Sequence, residues 1–112
     1  MKKIEMMIRP DRAEYVKTVL EEVGAGGVTV TSVMGYGAQK GNLDTYRGAK
    51  VPNNLLHKLK IEVVVADDMV DTVVEKVSET IKTGQVGDGK IFVIPIDDAI
   101  RVRTGEKGDK AL

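Results

Sequence analysis

The order of strand-like and helix-like segments in this 112-residue sequence predicts a single α+β domain. Four short segments are rich in β-branched and other apolar residues, and two longer ones repeat apolar residues at helical spacing. The chain length suits one domain, since most domains have about 100–150 residues. The 42% hydrophobic content is enough for a buried core.

The predicted elements follow one another as β-α-β-β-α-β, the ferredoxin-like arrangement. Strands are expected over residues 3–8, 28–34, 59–66 and 91–96. Pro10 suits the first turn of the first helix, and Gly24 supplies its end. Asp67 and Asp68 open the second helix, which closes near Gly84.

The connection over residues 36–57 is more than twenty residues long, whereas a hairpin needs about two to five. Its glycines and Pro52 make a continuous helix improbable. A structureless loop of this length in a compact domain indicates either a function or a wrong assignment. Because the flanking strands are clear, the sequence favours a function.

The last strand reads Ile91-Phe92-Val93-Ile94 without alternation, and the third also places apolar side chains on both faces. Two helices can cover only one face of the sheet, so the other face needs a partner. No segment of the chain is left to cover it. A homo-oligomer is therefore expected.

The composition argues against several classes of function. Lys plus Arg and Asp plus Glu both total 17, which argues against a nucleic-acid binder that works by phosphate neutralisation. There is no Cys, and the single His57 cannot build a multi-histidine metal site. No apolar run spans a bilayer and no signal peptide is evident, so the predicted location is the cytoplasm. No nucleophile–base constellation is apparent, which makes an enzyme improbable.

The glycine-rich segment 84–90, which ends in Lys90, is the strongest local motif. Closely spaced glycines let backbone N–H groups face an anion, and Lys90 adds a charge for a phosphate. The segment follows a helix and precedes a strand, the reverse of a P-loop. An ordinary tight turn is the alternative interpretation.

Arg101 and Arg103 alternate along a segment expected to be extended, which would place both guanidinium groups on one side. A solvated edge is the alternative, but together with Lys90 they suggest a polyphosphate site. The residues from Thr104 to Leu112 are interpreted as a mobile tail.

The long loop carries candidate groups as well. Gln39, between glycines at the loop's start, could bind an anion or a metal, and Lys58 at its far end could pair with a carboxylate. Tyr46-Arg47-Gly48 near the middle could contact a partner, since Tyr and Arg lead among interface hot spots. His57 receives no ligand role.

Eight stretches, in this order, resemble the PII signal-transduction proteins over essentially the whole chain. They are Gly26–Thr31, Gly35–Gly37, Gln39–Gly41, Tyr46–Ala49, Lys58–Val65, Thr83–Gly84, Gly87–Val93 and Ile100–Glu106. The resemblance implies one domain over residues 1–112, with a partner-binding loop at 36–57, a phosphate-binding loop at 83–90 and a C-terminal loop at 101–112. It also implies a homotrimer.

The resemblance further implies ATP and ADP competing for clefts between subunits, with Mg²⁺ and 2-oxoglutarate as further effectors. Phosphates would be held by Gly87, Asp88, Gly89, Lys90, Arg101 and Arg103, and the nucleoside by Thr29, Gly35, Gly37, Glu62 and Val64 of the neighbouring subunit. Gln39 would bind Mg²⁺, and Lys58 would pair with 2-oxoglutarate near Gly37, Gly41 and Gly87.

The partners that the resemblance implies are ammonium transporters and enzymes or regulators of nitrogen assimilation. In the transporter complexes, Arg47 would insert into the exit of the transporter. This sequence departs from many relatives at three loop positions. Val51 replaces a tyrosine that is nucleotidylylated and Ala49 a serine that is phosphorylated, so covalent modification there is not expected. Ala38 replaces a frequent arginine. The alternatives are a related trimer that senses another small ligand and a slow ATPase.

Overall fold

The computed structural model describes residues 1–36, 43–46, 49–52 and 55–112, the two short central segments by their backbone alone. The strands are β1 Lys2–Ile8, β2 Val28–Gly35, β3 Leu43–Tyr46, β4 Ala49–Pro52, β5 Leu56–Val65 and β6 Lys90–Pro95. The helices are α1 Ala13–Glu22 and α2 Val70–Ile81. No helix in the described part of the chain is long and apolar enough to span a membrane.

Four strands form one antiparallel sheet in the order β2-β5-β1-β6. This arrangement confirms the predicted ferredoxin-like α+β fold. Both helices pack on one face, where the buried side chains alternate along β1 and β5 and recur at helical spacing in α1 and α2. The core comprises Ile4, Met6, Ile8, Val16, Val19, Leu20, Ile61, Val63, Val65, Val73, Val77 and Ile81.

Each helix begins later than the sequence predicted. Short 3-10 turns over Pro10–Arg12 and Asp67–Met69 precede α1 and α2. Gly24 does end the first helix, in the left-handed region with φ 75°. The second helix ends before Gly84, because Lys82 already adopts an extended conformation.

The predicted long connection is not structureless throughout. β3 and β4 pair as a two-stranded antiparallel ladder within it, and β5 begins at Leu56, three residues earlier than expected. A backbone that leaves one strand can regain hydrogen bonds by pairing locally, which the glycine and proline content did not reveal.

The sheet face away from the helices is less apolar than predicted. Its centre holds four charged side chains, in which Lys60 Nζ lies 3.2 Å from Glu62 and 3.6 Å from Glu5, and Lys3 lies 3.7 Å from Glu62. The hydrogen bond and charge of Glu62 raise the pKa of Lys60. Phe92 remains 46% exposed on β6. This face is therefore mixed, because the alternation of β1 and β5 directs these four charged residues to it.

Candidate functional site

Residues 83–90, here called the glycine loop, connect α2 to β6. Three of its glycines, Gly84, Gly87 and Gly89, have φ of 82°, 101° and 109°. These values lie where side chains with a Cβ are strained. The loop conformation therefore requires glycine, which agrees with the motif singled out in the sequence.

The carboxylate of Asp88 fastens the loop from within. Its Oδ2 accepts hydrogen bonds from the backbone N–H of Thr83 at 2.8 Å and of Gly84 at 2.9 Å, and its Oδ1 accepts one from the Thr83 hydroxyl. These bonds, the Thr83 hydroxyl first, lower the pKa of Asp88. The Asp88 side chain thus shapes the loop, and the phosphate contact that the resemblance implies for this residue stays a prediction.

Arg9, at the end of β1, fastens the loop from outside. Its guanidinium donates to the carbonyl oxygens of Val86 at 2.8 Å and Gly87 at 3.0 Å. Arg9 was not among the residues that the sequence predicted for the site. The predicted topology could have indicated it. Pairing of the first strand with the last places the end of β1, and therefore Arg9, beside the glycine loop.

The loop also approaches the backbone of β1 closely. A Cβ at Gly89 would lie against the carbonyl oxygen of Met7, well inside van der Waals contact. Gly89 is therefore required both by its conformation and by the space around it.

A cleft of about 320 Å³ opens between the glycine loop, the end of β2 and the start of β5. Five residues predicted to bind ligand line it: Gly35, Lys58, Gly87, Gly89 and Lys90. Two lysines and glycine backbone in one cleft suit an anionic ligand.

Lys58 lies within this cleft and donates to the carbonyl oxygen of Gly87 at 3.2 Å. Partial burial and then the nearby charge of Arg9 lower its pKa, and Asp11 opposes this. A carboxylate or phosphate that entered this cleft would oppose the lowering of the Lys58 pKa, because a nearby negative charge favours the protonated ammonium.

A second depression lies elsewhere on the subunit. Three of the five predicted nucleoside contacts, Thr29, Glu62 and Val64, line it together with Ala111 and Leu112. The structure therefore separates these three predicted nucleoside contacts from the glycine loop within one chain, whereas it brings Gly35 next to that loop. This separation is what a cleft shared by two subunits would require.

The segment over residues 100–107, here called the C-terminal turn, differs from the prediction. Ile100 pairs with Lys107, and the Gly105 N–H donates to the Arg101 carbonyl at 2.7 Å. Arg101 and Arg103 therefore lie in a turn rather than along an extended segment. The reversal follows from Gly105, whose φ is 74°.

Residues 108–112 are not a free tail either. A 3-10 helix covers Gly108–Ala111, and the Arg101 guanidinium lies 3.2 Å from Glu106 Oε1 and donates to the Leu112 carbonyl at 3.1 Å. Arg101 is thus already bonded within its own segment.

Several predicted groups lie outside the described residues. Gly37, Gln39, Gly41, Arg47 and Gly48 belong to this set, and Tyr46 is described only as backbone in β3. The predicted magnesium ligand, Gln39, is among them. In the described ranges, no cluster of three or more His, Asp or Glu side chains could hold a metal.

The chain is similar to known proteins over nearly its whole length. The family model for "Nitrogen regulatory protein P-II" matches residues 1–106. The chain is 50% identical to "Nitrogen regulatory protein P-II 1" of Escherichia coli K12 over 112 residues, the whole of both chains. It is 48% identical to the "Nitrogen regulatory protein P-II" of Azospirillum brasilense and of Haemophilus influenzae, again over the full length of each.

Proposed function

Since the chain belongs to the P-II family of nitrogen regulatory proteins, we propose that it senses ATP or ADP together with 2-oxoglutarate and regulates nitrogen assimilation. The observation that carries the proposal is the cleft in which Lys58, Lys90 and the glycine loop meet. All three favour anions with several oxygens, such as phosphates and dicarboxylates.

In this proposal, the phosphates bind the glycine loop and Lys90, and 2-oxoglutarate binds Lys58 beside them. Arg101 and Arg103 reach the phosphates, and Thr29, Glu62 and Val64 of a neighbouring subunit enclose the nucleoside. Mg²⁺ on Gln39 would bridge the two effectors. The distance of Thr29, Glu62 and Val64 from the glycine loop within one chain supports a cleft between subunits of a homotrimer.

The output is a shift between loop conformations over residues 36–57. Mg-ATP with 2-oxoglutarate favours one conformation and ADP another, so that Tyr46, Arg47 and Gly48 are presented to different partners. Ammonium transporters and nitrogen-assimilation enzymes or regulators are the proposed partners. Because Val51 and Ala49 offer no modifiable hydroxyl, control is by ligand alone. Mass spectrometry of the native protein should find no nucleotidyl or phosphoryl group on this loop.

Calorimetry tests the sensor. Titration of 2-oxoglutarate should show binding in the presence of Mg-ATP and little with Mg-ADP or without nucleotide. Lys58→Gln should abolish this binding, whereas Lys76→Gln, an exposed lysine on α2, should not change it. Equal binding under all three conditions, or none in any, would refute the proposal. Light scattering should give the mass of three 12.2-kDa chains.

A further inference from the structure

We propose that Arg9 is a positioning residue for the glycine loop, which fixes the direction of the loop's N–H groups before a phosphate arrives. The inference rests on the proposed function, in which this loop receives nucleotide phosphates. Arg9 need not touch the ligand in this role. It acts through the carbonyl oxygens of Val86 and Gly87.

Two peptide planes are set by these contacts. In a trans peptide the C=O and the following N–H point in opposite directions. When Arg9 draws the Val86 and Gly87 carbonyls towards itself, the N–H groups of Gly87 and Asp88 turn away from it. The Asp88 N–H then lies 3.4 Å from the Gln85 carbonyl, which leaves Gly87 as the amide whose direction Arg9 chiefly decides.

Arg9 is itself held in place by its neighbour. Pro10 restricts the preceding residue to the extended region, and Arg9 has φ −65° and ψ 139°. Its planar guanidinium then offers two donors in a fixed fork, Nε to Gly87 and Nη2 to Val86. Nη2 also lies 3.9 Å from Asp88, the residue that fastens the loop from within.

The Gly87 carbonyl links the loop to the second effector. It accepts from Lys58 at 3.2 Å as well as from Arg9, and a carbonyl oxygen has two lone pairs. A carboxylate that binds Lys58 draws it away from this oxygen. Arg9 then remains to hold the loop, so the loop keeps its conformation when both sites are filled.

The test compares Arg9→Gln and Arg9→Lys with Arg12→Gln. Arg12 lies in the same turn, and the described contacts of its side chain are with Asp11 and the Tyr15 ring. Calorimetry measures ADP and adenosine affinities without 2-oxoglutarate, and hydrogen exchange measures the amides of residues 84–89 in the nucleotide-free protein. Lysine keeps the charge but lacks the fork, so it separates positioning from simple attraction.

Both Arg9 variants should bind ADP at least about tenfold more weakly and exchange the loop amides faster, because two hydrogen bonds to the loop are weakened or lost. The affinity of the Arg9 variants for adenosine should stay within about twofold of the wild-type value. The affinity of Arg12→Gln for ADP should also stay within about twofold of that of the wild type.

Wild-type ADP affinity in Arg9→Lys would overturn the inference, and so would an equal loss for ADP and adenosine. If wild-type protein binds no ADP, the proposed function fails instead, and loop exchange in the variants still decides whether Arg9 positions the loop.

Discussion

The glycine loop and the C-terminal turn were both predicted to bind phosphate through their cations, yet they are held in different ways. The loop is held from within by Asp88 and also from a distant part of the chain, since Arg9 lies 77 and 78 positions from the carbonyls it contacts. The C-terminal turn is fastened by its own neighbours, because Arg101 contacts Glu106 and Leu112. Lys90, the one cation of the loop, thus lines a cleft, whereas Arg101 of the turn is already paired.

The two segments therefore differ in how far their conformation is preorganised to bind an anion. In the loop, hydrogen bonds from Arg9 and to Asp88 hold the backbone and leave Lys90 at the cleft wall. In the turn, a phosphate that reached Arg101 would compete with the Glu106 carboxylate and the Leu112 carbonyl. The loop is preorganised for an anion, and the turn must exchange partners.

The largest expected effect is the loss of stability when a glycine of each segment is replaced by alanine. Gly89→Ala should lower the free energy of unfolding by about 4 kcal/mol, because a positive φ and overpacking against Met7 each cost about 1–3 kcal/mol. Gly105→Ala in the turn meets the conformational cost alone, about 1–3 kcal/mol, since no other described residue beyond its chain neighbours comes within 4 Å of its Cβ position.

Urea unfolding at one protein concentration measures both glycine variants, because assembly would make stability depend on concentration. Equal destabilisation by the two substitutions would show that the close approach to Met7 does not constrain the loop.

Sequence patterns predicted the fold because it depends on local signals. Apolar alternation in β1 and β5 and helical spacing in α1 and α2 name the core residues directly. The glycine loop was also visible, since its positive φ values demand the residue type that marks it.

Side-chain bonds across long separations were not visible in the same way. Arg9 carries no local sign that its partners are Val86 and Gly87, and pairing between the first and last strands must be known first. The C-terminal turn was missed for another reason. Arg101 and Arg103 satisfy the alternation of a strand, while Gly105 reverses the chain.

Asp88 in the glycine loop and Asp98 beside the C-terminal turn form a matched pair for comparing ADP affinity. Asp88→Asn should weaken ADP binding about tenfold, because an amide keeps one acceptor oxygen where the carboxylate uses two. Asp98 accepts from Ala99 and Gly108 beside the C-terminal turn through one oxygen. Asp98→Asn should therefore change ADP affinity by less than about twofold. Calorimetry decides between them, and a larger loss at Asp98 would reverse the assignment of the preorganised segment.

The pH dependence of the loop follows from the lowered pKa of Asp88. A carboxyl whose folded pKa lies below its unfolded value, about 3.9, stabilises the fold above that pH. This contribution is lost as the pH falls from about 4 through the lower folded pKa. The stability difference between wild type and Asp88→Asn should therefore persist at neutral pH and shrink below about pH 4. Urea unfolding across this range measures it, and a difference that grew on acidification would contradict the assigned bonds.

The smallest expected effect concerns the bonded state of Arg101. If Glu106 competes with a nucleotide phosphate for this guanidinium, Glu106→Gln should raise ADP affinity by about twofold to threefold. The gain is modest because both side chains are about 40% exposed, and ion pairs of this kind are weak. Asp109→Asn removes the same charge from the adjacent 3-10 helix without touching Arg101, so it should leave the affinity unchanged. An equal rise in both variants would reveal a general charge effect. A rise confined to Glu106→Gln would show that the turn exchanges its internal carboxylate for a phosphate, in contrast to the glycine loop.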